Sequence, residues 1–96
     1  MKLAKKSLGQ HYLVDKNVIK KITDTVKIEN KNVIEIGPGR GALTEEILRR
    51  NPKSLALIEK DNELSKYLKL KYFDKNLLTI FNDDILKFGL EKIIKK

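Results

Sequence analysis

The segment from Val33 to Leu48, VIEIGPGRGALTEEIL, constrains the fold of this chain more than any other stretch. Its first residues, Val33–Ile36, are too few for a helix and rich in β-branched side chains, which predicts a buried strand. Gly37 and Gly39 then allow a tight turn that brings bare backbone close to a ligand. A helix is predicted from Gly41 to Arg50, and the start of a helix attracts anionic or polar groups. This order of elements predicts a ligand site at the turn.

An amphipathic helix is predicted upstream of this turn. Asp15 is a candidate N-cap for a helix that runs to about Val26. Its apolar side chains recur at helical spacing, and they are Val18, Ile19, Ile22 and Val26. At the other end of the chain, the tail from Lys87 is predicted to form a short helix that uses Leu90, Ile93 and Ile94.

Two further strands and one further helix are predicted downstream of the turn. Pro52 ends the preceding helix because proline lacks a backbone donor. A second strand fits Leu55–Ile58, and a third fits Leu77–Phe81. Between them, Asp61 is a candidate N-cap for a helix through about Leu70. The side chains expected to face inward from that helix are Leu64, Tyr67 and Leu68.

Strand and helix therefore alternate three times, which predicts an α/β fold with three parallel strands joined by right-handed crossovers. In such sheets the ligand lies beyond the carboxyl ends of the strands. The residues at those ends are Gly37, Glu59, Asp83 and Asp84. The spacing of Gly37, Gly39 and Ala42 satisfies the dinucleotide fingerprint, and Glu59 is placed to bind ribose hydroxyls. These residues alone are compatible with a nicotinamide cofactor and with S-adenosylmethionine.

Composition limits the class of protein and the class of partner. The chain has 96 residues, a formal charge of +8 and no cysteine, which excludes disulfides and thiolate metal sites. A polyanion such as nucleic acid is a natural partner for this charge, although a lysine-rich composition explains the charge equally well. No apolar run approaches the roughly 18 residues that span a bilayer. We therefore expect no membrane association and a cytoplasmic location.

Three segments carry a resemblance to a known family: KKSLGQHYLVDKNVIKKI (Lys5–Ile22), the glycine-turn segment, and NDDILKF (Asn82–Phe88). In this order they resemble the N-terminal part of the ribosomal RNA adenine dimethyltransferases, over nearly the whole chain. The GQHYL segment has no reason to occur in a dehydrogenase, so the resemblance favours S-adenosyl-L-methionine over a nicotinamide. It implies a Rossmann-like class I methyltransferase half-domain, truncated before the fourth strand, and no second domain.

The same resemblance implies a substrate. EIGPGRGALT is more like the enzymes that dimethylate N6 of adenines in small-subunit ribosomal RNA, or its precursor particle, than the antibiotic-resistance enzymes that methylate large-subunit RNA. A non-catalytic RNA-binding or assembly module of the same fold is the alternative from another class.

Cofactor-binding roles follow from the resemblance. The segment that folds over the cofactor contributes His11 and Leu13, with Gln10 beside them. Gly37 is the glycine whose backbone meets the methionine end of the cofactor, and Gly39 continues the turn.

Two carboxylates complete the predicted cofactor site. The resemblance assigns both ribose hydroxyls to Glu59 and the adenine amino group to Asp84. Asp83 is expected to miss the site, and Glu35 is expected to point into the same cleft if the strand alternates regularly.

The catalytic motif of the family is an Asn-[Leu/Ile]-Pro-[Tyr/Phe] sequence after a fourth strand. The only prolines of this chain are Pro38 and Pro52, so these 96 residues lack it and we expect no RNA methylation by them alone. In the family the fourth strand lies beside the first, which is expected to leave Val33–Ile36 as an open apolar edge. Such edges pair readily, so self-association through this edge is also expected.

Overall fold

A computed structural model describes residues 15–89 as four helices and three strands. In chain order the elements are α1 (Lys16–Asp24), β1 (Asn32–Ile36), α2 (Ala42–Arg49), β2 (Ser54–Ile58), α3 (Asn62–Lys71), β3 (Leu78–Phe81) and α4 (Ile85–Phe88). The three predicted strands and the three longer helices are confirmed to within two residues at each end.

Acidic side chains begin the helices as predicted. The Asp15 carboxylate accepts hydrogen bonds from the backbone N–H groups of Asn17 and Val18. The Asp61 carboxylate accepts from the N–H of Leu64 at 2.9 Å. These bonds satisfy donors that have no partner inside the helix, so each aspartate fixes where its helix starts.

The three strands form one parallel sheet in the order β1-β2-β3, so β2 is central. Ile36 pairs with Ile58, and Ile58 pairs with Phe81. This arrangement confirms the predicted α/β fold. Among residues 15–89, β1 has a single hydrogen-bonded neighbour, which leaves its outer edge open.

Helices cover one face of the sheet. Leu55 and Leu57 of β2 are buried against Ile47 of α2 and Leu68 of α3, and Tyr72 completes this core. The side chains of Ile34 and Ile36 point to the opposite face because neighbouring residues of a strand alternate. They are 38% and 56% exposed. The prediction of a buried first strand is therefore wrong for this face, whereas the open apolar edge is present.

Helix α1 is fixed to α2 by a network of charged groups. Arg50, which follows α2, pairs with Asp24 at 2.7 Å and with Glu46 at 3.2 Å. Its guanidinium also donates to the backbone carbonyl of Thr23 at 3.2 Å. The end of α1 is consequently held beside the end of α2 and close to β1.

Four details of the sequence prediction are corrected. Helix α1 ends at Asp24, and Ile22 and Val26 are 42% and 60% exposed because they face the open side of β1. Tyr67 is 38% exposed, since it lies at the side of α3 and not beneath it. The short helix α4, which begins at Ile85 and is capped by Asp84, was not predicted, and Leu90, Ile93 and Ile94 of the predicted tail helix lie outside the described residues. Residues 90–96 lie outside the described part of the chain.

Candidate functional site

The loops that follow the three strands are bonded to one another. The N–H of Gly37 donates to the carbonyl of Ile58 at 2.9 Å, and the N–H of Glu59 donates to the carbonyl of Phe81 at 2.9 Å. The carbonyl of Glu59 in turn accepts from the N–H of Asp83 at 3.1 Å. The structure thus brings the glycine turn, Glu59 and the acidic pair to the same edge of the sheet.

The carboxylate of Glu59 joins the glycine turn to the start of α3. Its Oε1 accepts from the N–H of Gly39 at 3.2 Å, and its Oε2 accepts from the N–H of Asp61 at 3.0 Å. Glu59 is only 3% exposed. Because each carboxylate oxygen has a further lone pair, both oxygens can still accept from a ligand hydroxyl.

Two glycines of the turn are required for different reasons. Gly37 has a φ of +67°, and a Cβ built on it would meet no atom within 4 Å among the described residues. Gly41 has a φ of +95°, and a Cβ there would lie 2.8 Å from the hydroxyl of Tyr72. Gly37 therefore presents backbone to open space, as a ligand-binding turn requires, whereas Gly41 is packed against the protein.

A second set of contacts holds the turn from the α3 side. Lys71 Nζ donates to the carbonyl of Arg40 at 3.0 Å, and the Tyr72 hydroxyl donates to the carboxylate of Glu45. Burial, followed by the hydrogen bond to Glu45, raises the pKa of Tyr72. The sequence interpretation missed these residues because no local pattern indicates that Lys71 contacts a residue 31 positions earlier.

Glu35 is a buried carboxyl beneath the turn. It is 7% exposed, and its Oε1 accepts from the hydroxyl of Thr44 at 2.6 Å. Burial raises its pKa to about 7, the nearby charge of Glu59 adds to the rise, and the Thr44 hydrogen bond opposes it. Burial dominates because desolvation disfavours the ionised form. The regular alternation of β1 thus turns Glu35 toward α2, and Thr44 is a partner that the sequence did not indicate.

Asp83 and Asp84 have local partners. Asp84 Oδ1 accepts from the N–H of Leu86 at 3.0 Å and caps α4, while Asp83 Oδ1 accepts from the N–H of Asp84 at 2.8 Å. A capping aspartate has a second carboxylate oxygen, so the cap is compatible with a ligand contact.

His11, Leu13 and Gln10, the other predicted cofactor residues, lie outside the described part of the chain. Within residues 15–89, no three His, Cys, Asp or Glu side chains are grouped as a metal site. No helix in that same range has the length and apolar character needed to cross a membrane.

Comparison with known proteins identifies the family. The sequence model described as ribosomal RNA adenine dimethylase matches residues 1–96. The chain belongs to this family. Proteins of the family depend on S-adenosylmethionine, which confirms the choice of this cofactor over a nicotinamide.

Curated relatives share close to half of their aligned residues with this family member. Ribosomal RNA small subunit methyltransferase A of Pelagibacter ubique is 54% identical over 84 residues, which are 88% of this chain and 31% of the relative. The protein of the same name from Maridesulfovibrio salexigens is 50% identical and covers 88% of this chain and 32% of the relative. The chain thus spans about a third of the length of these relatives.

Solved structures support the same fold. The 23S rRNA methyltransferase ErmE matches with a TM-score of 0.70 and 25% identity, over 88% of this chain and 41% of that one. A putative RNA methyltransferase from Pyrococcus horikoshii matches with a TM-score of 0.72 and 24% identity, over 82% of this chain and 41% of that one. The predicted Rossmann-like arrangement of parallel strands and flanking helices is confirmed.

Proposed function

We propose that this chain forms the S-adenosylmethionine-binding part of an enzyme that dimethylates N6 of adenines in small-subunit ribosomal RNA. The observation that carries the proposal is the bond from the Gly39 N–H to the buried Glu59 carboxylate, because it joins the glycine turn to the acid that we assign to the ribose. The names of the relatives that are 54% and 50% identical support the small subunit, against 25% identity for the 23S enzyme.

Each described residue then has a defined role. Glu59 accepts from the two ribose hydroxyls, for which its two oxygens are suited. The backbone at Gly37 contacts the methionine end of the cofactor, where the space above the Cα is open. Asp84 accepts from the adenine amino group while it caps α4.

S-adenosylmethionine supplies a methyl group that the adjacent sulfonium makes electrophilic. Transfer to the adenine N6 needs chiefly correct positioning, so the contribution of this part of the protein is to hold the cofactor in one orientation. The turn is already held in place by Glu59 from one side and by Lys71 and Tyr72 from the other.

Calorimetric titration of the chain with S-adenosylmethionine tests the proposal. We expect saturable binding, no binding of NAD, and at least about tenfold weaker binding by Glu59→Ala, because hydrogen bonds to a charged group contribute about 1.5–3 kcal/mol each. Glu59→Gln keeps an acceptor for the N–H of Gly39 or for that of Asp61 but not for both, so it should disturb the turn less than Glu59→Ala does. Glu29→Ala removes an exposed carboxylate elsewhere and is the matched control.

The acidic pair provides a second matched comparison. Asp84→Asn preserves the capping oxygen but weakens acceptance from the adenine amino group, so binding should weaken. Asp83→Asn should bind like the parent chain. Absence of heat with S-adenosylmethionine, together with RNA binding that salt weakens, would instead support the non-catalytic RNA-binding module.

A further inference from the structure

The face of α3 that points away from the sheet carries an exposed mixture of basic and apolar side chains. The buried residues Leu64, Ser65 and Leu68 mark the inner face. Residues three or four positions apart lie together on a helix surface, so the exposed acid Glu63 shares the outward side with the four residues that follow: Lys66, Lys69 and Leu70 of α3, and Phe73 in the turn directly after its end at Lys71. We call these four residues the α3 outer face. Leu70 is 77% exposed and Phe73 is 83% exposed, so two large apolar side chains lie at the surface beside these lysines.

Positive charge dominates this region. Between residues 62 and 76 the chain has four lysines, Lys66, Lys69, Lys71 and Lys75, and two acids, Glu63 and Asp74. Among the ion pairs of residues 15–89, none involves Lys66, Lys69 or Lys75. Their charge is therefore available to a partner.

The α3 outer face is continuous with the glycine turn. Arg40 of the turn lies over the Tyr67 ring at 5.4 Å from its centroid, and Lys71 lies 5.7 Å from the same centroid. Tyr67 borders the outer face along α3. A linear polymer bound to the α3 outer face could thus extend toward the edge of the sheet that carries the proposed cofactor site.

We propose that the α3 outer face binds single-stranded RNA, with Lys66 and Lys69 at phosphates and Phe73 stacked on a base. Interleaved lysines and exposed aromatic rings fit a polyanion whose bases offer flat apolar surfaces, and they bind single strands without reading sequence. The proposal deepens the proposed function, on which it rests for the RNA class of the substrate, by assigning a contact surface outside the cofactor site.

Fluorescence anisotropy of the 96-residue chain with a labelled 20-nucleotide oligouridine, from 50 to 200 mM KCl, tests this surface. For the double variant Lys66→Ala and Lys69→Ala, the slope of log affinity against log salt should fall in magnitude by about 1.4, since each phosphate contact to a single strand contributes about 0.7. Phe73→Ala should weaken binding at least about fivefold with the slope unchanged, and Phe73→Trp should restore it.

Lys31→Ala with Lys53→Ala removes the same charge from exposed lysines at the opposite edge of the sheet and should leave the slope unchanged. The proposal would be overturned if the chain did not bind the RNA, or if the two lysine pairs had equal effects. It would also be overturned if Phe73→Ala lost binding to phosphatidylserine vesicles but kept its binding to RNA. Failure to bind S-adenosylmethionine with RNA binding intact would overturn only the cofactor assignment.

Discussion

Strands β1 and β2 have similar apolar sequences, NVIEI and SLALI, but very different environments. Ile36 and Ile58 are register partners on the same face of the sheet, yet Ile36 is 56% exposed and Ile58 is 2% exposed. The difference follows from position, because β2 has a strand on each side and β1 has one described neighbour. Burial in this sheet is therefore set by topology more than by side-chain type.

The largest effect is expected at the centre of β2. Leu57 is 0% exposed and lies in the core between the sheet and the helices. Leu57→Ala should lower the free energy of unfolding by about 2–5 kcal/mol, because it removes buried apolar surface and leaves a cavity. Urea denaturation followed by circular dichroism measures this loss. A change below about 1 kcal/mol would show that β2 is not packed as described.

The next effect concerns the residue of β1 that pairs with Leu57. Glu35 faces the packed side of the sheet, and burial raises its pKa to about 7 from an ordinary value of 4.5. The folded state then holds this proton more tightly than the unfolded state. The contribution of Glu35 to stability is present below pH 4.5 and is lost as the pH rises to about 7. The loss is on the order of 3 kcal/mol, at about 1.4 kcal/mol for each pKa unit.

Glu35→Gln tests this contribution because it keeps the acceptor for Thr44 and cannot ionise. Unfolding free energies measured from pH 4.5 to 8 should decline more steeply for the parent chain than for Glu35→Gln. The exposed Glu29→Gln should follow the parent chain. Parallel curves for the parent and Glu35→Gln would mean that Glu35 is solvated in solution.

Local signals in the sequence were sufficient to predict the three strands and the three longer helices. Asp15 and Asp61 mark helix starts through hydrogen bonds to residues two or three positions away. The turn after β1 needs a positive φ at position 37, and a glycine there adopts it readily. Proximity of Glu59 to the turn could also be predicted, because the carboxyl ends of parallel strands meet at one edge.

Contacts between distant segments were not predictable in the same way. Tyr72 packs under Gly41, and Thr44 bonds to Glu35, through the particular orientation of helices on the sheet. A single sequence contains no spacing rule for such pairs. The exposure of Tyr67 was not predictable either, because helical spacing gives the boundary of the buried face only to within about one residue.

The smallest effect is expected at the outer end of β1, and it bears on the predicted self-association. Ile36→Thr keeps a β-branched side chain on a strand but removes apolar surface that the described residues do not cover. Unfolding free energy at micromolar concentration should change by no more than about 0.5 kcal/mol, as for most surface substitutions. If the open edge of β1 pairs between copies, sedimentation velocity should show weaker association for the variant than for the parent chain. A loss of stability as large as that of Leu57→Ala would mean instead that Ile36 is buried within a single copy, and the contrast between the two strands would disappear.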